Sequence, residues 1–279
     1  MNLVFQIVGT TGSVMIAVVG LAIILGLMNV INLAQTGLMA VGVYGAVSAT
    51  TLHAPFWLAV LAGAALAGLV GAIVERLVIR RLYARPLDTI LATWGISLIL
   101  VEGLTWIYGP APRGLNVPVN GSVTVAGTSY EAYRLVIVVV AFAIIFALAA
   151  LTRYTRVGLR VRMVMGNERL ARGVGINTTR VQQLTFVLGS ALAGLGGALL
   201  GPVSAIVPNY AAAILVPAFL AVLLSGRTLT GLVLACASLS VVQVLFSNWA
   251  NATYATVVVI IVAVALLRVR PEGFVWRRA

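Results

Sequence analysis

Lysine is absent from the 279 residues, acid is scarce, and cysteine and histidine occur once each, as Cys236 and His53. Each shortage removes a class of chemistry. Without lysine there is no G-x-x-x-x-G-K-[ST] phosphate loop, so the chain cannot bind ATP in that way. One cysteine allows no disulfide within the chain, and one histidine with one cysteine cannot make a structural zinc site or another metal centre of His/Cys ligands alone. No Ser/His/Asp set or carboxylate pair stands out, so a membrane enzyme has little to stand on. Only 9% of residues are charged, against 62% hydrophobic, and the mean hydropathy is +1.12. Soluble domains are about 25% charged. This is an integral membrane protein.

Charge is missing in blocks. Residues 1–74, 135–152, 181–226 and 228–267 contain no Asp, Glu, Lys or Arg, and each block is long enough for at least one helical crossing of about 20 residues. Apolar crossings are expected near 5–27, 35–52, 56–75, 88–108, 134–152, 181–202, 211–225, 229–247 and 252–267. Nine is the count, within a range of eight to ten, because the second and seventh are short enough to be re-entrant or broken. The fold expected is all-α, a polytopic transmembrane helical bundle in a single domain, 1–279. MNLVFQIVGTTG has no basic region ahead of its apolar run, so a cleaved signal peptide is not expected.

The net charge of +12 comes from 18 arginines. Most of them flank apolar runs, as the positive-inside rule requires, which makes them topology signals facing anionic lipid rather than a nucleic-acid surface. Segments 75–88, 153–180 and 268–279 carry four, seven and four arginines and are assigned to the cytoplasm. Segment 109–134 carries two. Its Pro, Gly and Asn turns and the alternating SVTVAG indicate an extracytoplasmic loop with a short hairpin.

Small residues recur every four positions: Gly189, Ala193, Gly197 and Gly201 in one crossing, Gly63, Ala67 and Gly71 in another. They predict close helix packing, which does not identify a function. The amides in GLMNVINLAQTGLMAVGVYG (26–45) are more pointed. Gly26, Asn29, Asn32 and Gly37 favour an interruption, and Asn29, Asn32, Gln35 and Thr36 then either line a solute path at a broken helix or cap an ordinary turn between two crossings. Trp94 and Glu102 join the path candidates. Glu102 is the one acid well inside an apolar crossing, and it is either functional or an outer-end residue reaching a headgroup or an arginine. Arg227 reads as part of a tight cytoplasmic turn.

In the 153–180 segment, Asn167 can cap a short helix over Glu168, Arg169, Leu170, Ala171 and Arg172 that Gly173 ends, with Gly175 in the turn beyond; Asn177 or Thr178 can cap the next crossing. With Leu170, Ala171 and Val174 as apolar contacts, this is either a docking knob for a cytoplasmic partner or an Arg-rich loop resting on lipid.

NVINLAQTGLMAVGVY (29–44), ERLVIRRLYARPLDTILATWGISLIL (75–100), RYTRVGLRVRMVMGNERLARGVGINTTRVQQLTFVLGSALAGLGGALLGP (153–202) and RPEGF (270–274) together resemble the permease subunit of the branched-chain amino-acid and urea ABC importers. The likeness runs in order over nearly the whole chain, and the third segment is the most specific. RPLDTILATWGISLIL is closer to the urea or short-chain-amide branch than to the branched-chain amino-acid branch. The glycine-rich turn usual late in this family, GG-x-G-S-x-x-G, is replaced here by SGRTLTG (225–231), with Arg227 inside it.

The resemblance implies an ABC-importer permease fold in the cytoplasmic (inner) membrane. It implies a second related permease subunit, two cytoplasmic ATP-binding subunits that hold ATP and Mg, and an extracytoplasmic solute-binding protein. No cofactor is expected in this chain. Asn167 to Ile176 would hold the coupling helix, and Asn29 to Gly37 would lie near the path. Urea or a short amide is the expected solute, a branched-chain amino acid the alternative. A self-contained channel or secondary transporter is the reading from a different class, and it leaves the capped cytoplasmic helix without a role.

Overall fold

A computed structural model of the chain describes residues 2–28, 31–83, 85–116, 121–125, 128–226, 228–249, 251–269 and 273. In chain order the helices are α1 (Asn2–Met28), α2 (Gln35–Thr51), α3 (Phe56–Leu77), α4 (Pro86–Tyr108), α5 (Ala132–Tyr154), α6 (Arg156–Gly166), α7 (Glu168–Gly173), α8 (Thr178–Leu200), α9 (Ala212–Leu224), α10 (Leu229–Trp249) and α11 (Ala252–Val269). All nine expected apolar segments are helices. Among the described residues, six of them, α1, α3, α4, α5, α8 and α10, are long and apolar enough to cross a membrane. As expected, the second and seventh are short, 17 residues in α2 and 13 in α9.

The hairpin expected from SVTVAG is present. β1 (Ser122–Val125) pairs antiparallel with β2 (Thr128–Glu131), with Ser122 opposite Glu131 and Val125 opposite Thr128. Two segments expected as loops hold more structure. Within 75–88, α3 runs on to Leu77 and a 3-10 turn covers Ile79–Arg81. Within 153–180, α6 precedes the predicted short helix: Gly158, Val161 and Val164 are buried at spacings of three, and arginines occupy much of the other side.

The chain packs as two compact units, each built from separate stretches of sequence. One comprises residues 1–18, 116–143 and 213–279, the other residues 19–115 and 144–212. In the first, α10 packs along α11, and Gly273 of the tail lies against the turn after α9, where a side chain would meet the Leu224 carbonyl and the Gly226 backbone. That close seat, together with a φ of +69°, explains the glycine of RPEGF.

The second unit is organised around α2. From Gln35 to Tyr44 every residue of this helix is buried, and Ala46 and Val47 are too, so the helix is apolar on all sides because all sides face protein. Glycines make room for it. A side chain at Gly42 would run into the Gly194 backbone, one at Gly63 into the Gly42 carbonyl, and one at Gly197 into the Met39 backbone. On α8, Gly189 meets Gly20 and Ile24 of α1, Gly201 meets Val43 of α2, and Gly194 meets Ala67 of α3. The four-residue row is thus a packing device, as expected: its glycines meet α1 and α2, and Gly194, off the row, meets α3.

This geometry predicts opposite signs for one substitution at two places. Gly103, in α4, has open space where a side chain would go, so Gly103→Ala should raise the unfolding temperature in detergent through the usual helix preference for alanine, about 0.5–1 kcal/mol. Gly42→Ala should lower it, because forcing a methyl into closed packing costs about 1–3 kcal/mol.

Candidate functional site

The amide-rich stretch is an interruption between two helices. α1 stops at Met28 and α2 starts at Gln35; Asn29 lies outside the described residues. Asn32 is 0% exposed and Gln35 1% exposed. The position of the interruption follows from its partners on α4. Thr36 Oγ1 is 2.8 Å from Ser97 Oγ, and the Gly37 N–H donates to the same Ser97 oxygen at 3.2 Å. Ser97 is the middle residue of α4. Twelve residues along α2 from Thr36, Ser48 pairs with Tyr108 at the end of α4, 2.5 Å between hydroxyl oxygens. α2 therefore runs beside only the second half of α4, and its start is level with the centre of a full-length crossing. A turn at a membrane surface would have met α4 near Pro86.

A helix start in the interior exposes N–H groups with no partner in their own helix, and in a low-dielectric surrounding each must find an acceptor. Short polar side chains supply them. Asn32 Oδ1 accepts from Ala34 N at 3.1 Å, Thr93 Oγ1 accepts from Leu33 N at 3.2 Å, and Ser97 Oγ serves Gly37. Thr89, Thr93 and Ser97 are spaced by four and all buried, so α4 turns one hydroxyl-bearing face toward the interruption. Thr89 is a structural member of this row, donating to the Leu82 and Arg85 carbonyls at 2.8 and 2.9 Å. Asn32 Nδ2 has no partner among the described residues. No acidic residue lies in the first turn of α2, so the positive end of the helix dipole is uncompensated there.

Trp94 and Glu102 do not join this group. Trp94 is 54% exposed and Glu102 is exposed; both stand on the outward side of α4 with Leu91, Leu98 and Trp106, away from the buried row. The helical period places them there, since at 3.6 residues per turn Trp94 lies about 100° and Glu102 about 180° round the helix from the middle of the Thr89, Thr93 and Ser97 row. The structure adds residues that the sequence reading missed. Thr93 and Ser97 could have been found by their spacing from Thr89. Glu75, expected in a cytoplasmic loop, is 0% exposed. Its Oε1 accepts from Tyr83 Oη at 2.9 Å, and burial together with this carboxylate pushes the Tyr83 phenol far up, so it stays protonated as the donor. Around them Ile24, Met28, Val74, Ile79, Tyr83, Ile96 and Phe186 form an apolar cluster.

The second candidate region is the capped segment ahead of α8. Asn167 Oδ1 accepts from Arg169 N at 3.0 Å and Leu170 N at 3.1 Å, the cap expected for α7. Asn177, not Thr178, caps α8 by accepting from Arg180 N at 3.0 Å. Thr178 instead accepts from Arg172 Nε at 3.1 Å, while Arg172 pairs with Glu168 at 2.5 Å and Gln182 reaches the same carboxylate at 3.4 Å. α7 is thereby tied to the first turns of α8. The helix includes Gly173, and the positive φ that ends the turn belongs to Gly175 at +82°. Leu170 and Val174 are each 69% exposed; Arg169, Gly173 and Gly175 are exposed as well. Ala171 is 2% exposed and faces the protein, so it cannot be an external contact.

Two substitutions test these geometries. Ser97→Ala leaves the buried Gly37 N–H without its acceptor and should cost about 1–3 kcal/mol in thermal unfolding, whereas Ser97→Thr keeps the oxygen. Asn167→Ala removes a cap worth about 0.5–2 kcal/mol; amide exchange at Arg169 and Leu170 should quicken while the unfolding temperature of the whole chain stays where it was.

The chain is similar to known proteins over nearly its full length. The family model described as branched-chain amino acid transport system, permease component, matches residues 3–267. The high-affinity branched-chain amino acid transport system permease protein LivH of Escherichia coli K12 is 28% identical over 278 residues, 93% of this chain and 90% of LivH. BraD of Pseudomonas aeruginosa, with the same description, is 25% identical over 93% of this chain and 90% of BraD. A probable branched-chain amino acid transport permease LivH of Methanocaldococcus jannaschii is 27% identical over 43% of this chain and 40% of its own length. None of these favours the urea or short-amide branch; they favour the alternative. With the six long apolar helices, the match over 3–267 makes this chain a multi-pass inner-membrane protein that belongs to the permease family of the branched-chain amino-acid and urea ABC importers.

Proposed function

We propose that the chain is the permease subunit of an ATP-driven importer for branched-chain amino acids. The observation that carries this reading is the family match over residues 3–267, with relatives described as branched-chain amino-acid permeases covering 93% of the chain. It replaces the urea expectation, which rested on the single stretch RPLDTILATWGISLIL. In this reading a second related permease completes the pathway and an extracytoplasmic binding protein delivers the solute. Two cytoplasmic subunits bind and hydrolyse ATP with Mg.

The coupling role falls to α7. Arg169, Leu170 and Val174 form its outward surface, suited to a groove on an ATP-binding subunit, and Arg172, Glu168, Thr178 and Gln182 tie it to α8. α8 in turn carries Gly189, Gly194 and Gly197, on which α1, α2 and α3 rest. A push on α7 thus reaches the helices beside the interruption ahead of Gln35 through contiguous packing. ATP and its hydrolysis products would favour different arrangements of these helices, and solute crosses as the populations exchange. Asn32, Gln35 and Thr36 are the path candidates kept by this reading; Trp94 and Glu102 suit an outer face of α4 instead.

The reading is tested by purifying the chain with its membrane partners and reconstituting the assembly in liposomes with the binding protein and ATP. Leucine should be imported and urea should not. Urea import would return the solute to the short-amide branch, and ATP-independent uptake by this chain alone would make it a channel. Leu170→Asp should cut ATP-driven leucine import at least tenfold and leave the thermal stability of the permease unchanged, because Leu170 is solvent-facing.

A further inference from the structure

A charged solute crossing the low-dielectric interior of a membrane protein is stabilised by fixed partial charges along its path. The start of α2 offers one kind. We propose that it is the subsite for the carboxylate of the amino-acid solute, with Asn32 Nδ2 and the Thr36–Ser97 hydroxyl pair as donors. This rests on the amino-acid reading of the solute given above.

Three observations converge on an anion. First, α2 has 17 residues and no acid in its first turn, so the positive end of its dipole is left uncompensated in the interior, where screening is weak. Second, Asn32 is 0% exposed, its Oδ1 is held by Ala34 N at the entry to the helix, and its Nδ2 donor has no partner among the described residues. The bond to Ala34 fixes the carboxamide plane at the helix start and leaves the two N–H groups of Nδ2 for something else. A buried amide donor left unused costs about 1–3 kcal/mol, and a solute carboxylate would remove that cost during passage. Third, Thr36 and Ser97 share one hydrogen bond between two hydroxyls, with Ser97 Oγ also accepting from Gly37 N. One hydroxyl proton joins the pair and the other is available to an oxygen acceptor.

The composition of the group also suits passage. No arginine belongs to it, so the carboxylate meets dipoles and neutral donors only. Such a subsite offsets part of the desolvation of the anion without holding it as an ion pair would, and a transport site must release what it receives. A neutral solute such as urea would gain hydrogen bonds here but nothing from the helix end. The group therefore distinguishes a carboxylate from an amide by charge.

The test uses the complete importer in liposomes, with leucine-loaded binding protein varied to saturation and ATP hydrolysis followed alongside leucine uptake. Asn32→Asp is the informative variant: it has the size of the original, its carboxylate can still accept from Ala34 N, and a helix start favours negative charge, so the permease should keep its unfolding temperature. A carboxylate already in place repels the incoming one. Leucine uptake at saturation should fall at least tenfold with the concentration of loaded binding protein for half-maximal rate unchanged, while ATP hydrolysis continues, so that more ATP is spent per leucine. Asn32→Ala should give a smaller loss, about threefold to tenfold. Wild-type uptake by Asn32→Asp would overturn the subsite, as would a loss of uptake that only tracks a loss of ATP hydrolysis. If the unmodified importer fails to move leucine at all, the solute assignment itself falls, which is a separate and distinguishable result.

Discussion

The constraint on which the second unit depends is that α2 begins inside protein. A helix start carries N–H groups that its own turns cannot satisfy, and away from water those groups need acceptors from elsewhere. Here Asn32, Thr93 and Ser97 provide them. The helix beyond is enclosed on every side through Tyr44, which demands that neighbouring backbones come close. Gly42, Gly63, Gly194 and Gly197 allow this. Lipid gives helices no hydrophobic reason to associate, so such close packing is what holds this core together.

The same arrangement links the candidate site to the Arg-rich end of the unit. α8 is the common element: its glycines support α1, α2 and α3, and its first turns are pinned to α7 by the Glu168–Arg172 pair, Thr178 and Gln182. An exposed ion pair such as Glu168–Arg172 adds little stability. Its value in the proposed mechanism is directional, since it makes a six-residue helix move with a 23-residue one. The buried Glu75–Tyr83 bond has a comparable effect next door, holding the turn between α3 and α4 against the apolar cluster around Phe186.

Much of this was legible in the sequence, for identifiable reasons. Blocks without charge located the apolar helices other than α4, which carries Asp88 and Glu102, because hydrocarbon tolerates almost nothing else. The caps at Asn167 and Asn177 were readable because capping is local: the donor and acceptor lie within three residues. Glu75 was misread as a loop residue because nothing within its own turn announces a tyrosine eight positions later folding back over it. Trp94 and Glu102 stand out in sequence by their chemistry, a large aromatic and a rare acid, and the helical period sets them on the exposed side of α4, apart from the buried Thr93 and Ser97. The urea expectation drew on one short stretch of α4, while similarity across nearly the whole chain favours the branched-chain amino-acid alternative.

What the sequence determined by itself was the class of protein and its helices: long apolar runs, arginines at their ends, and, with no lysine in 279 residues, no G-x-x-x-x-G-K-[ST] phosphate loop. It also showed that something interrupts the chain near Asn32. Whether that interruption was a surface turn or a helix start at the centre of the unit was decided only by tertiary structure. The difference lies in which residue of α4 stands opposite Thr36, and pairing between residues 61 positions apart leaves no periodic trace in either segment.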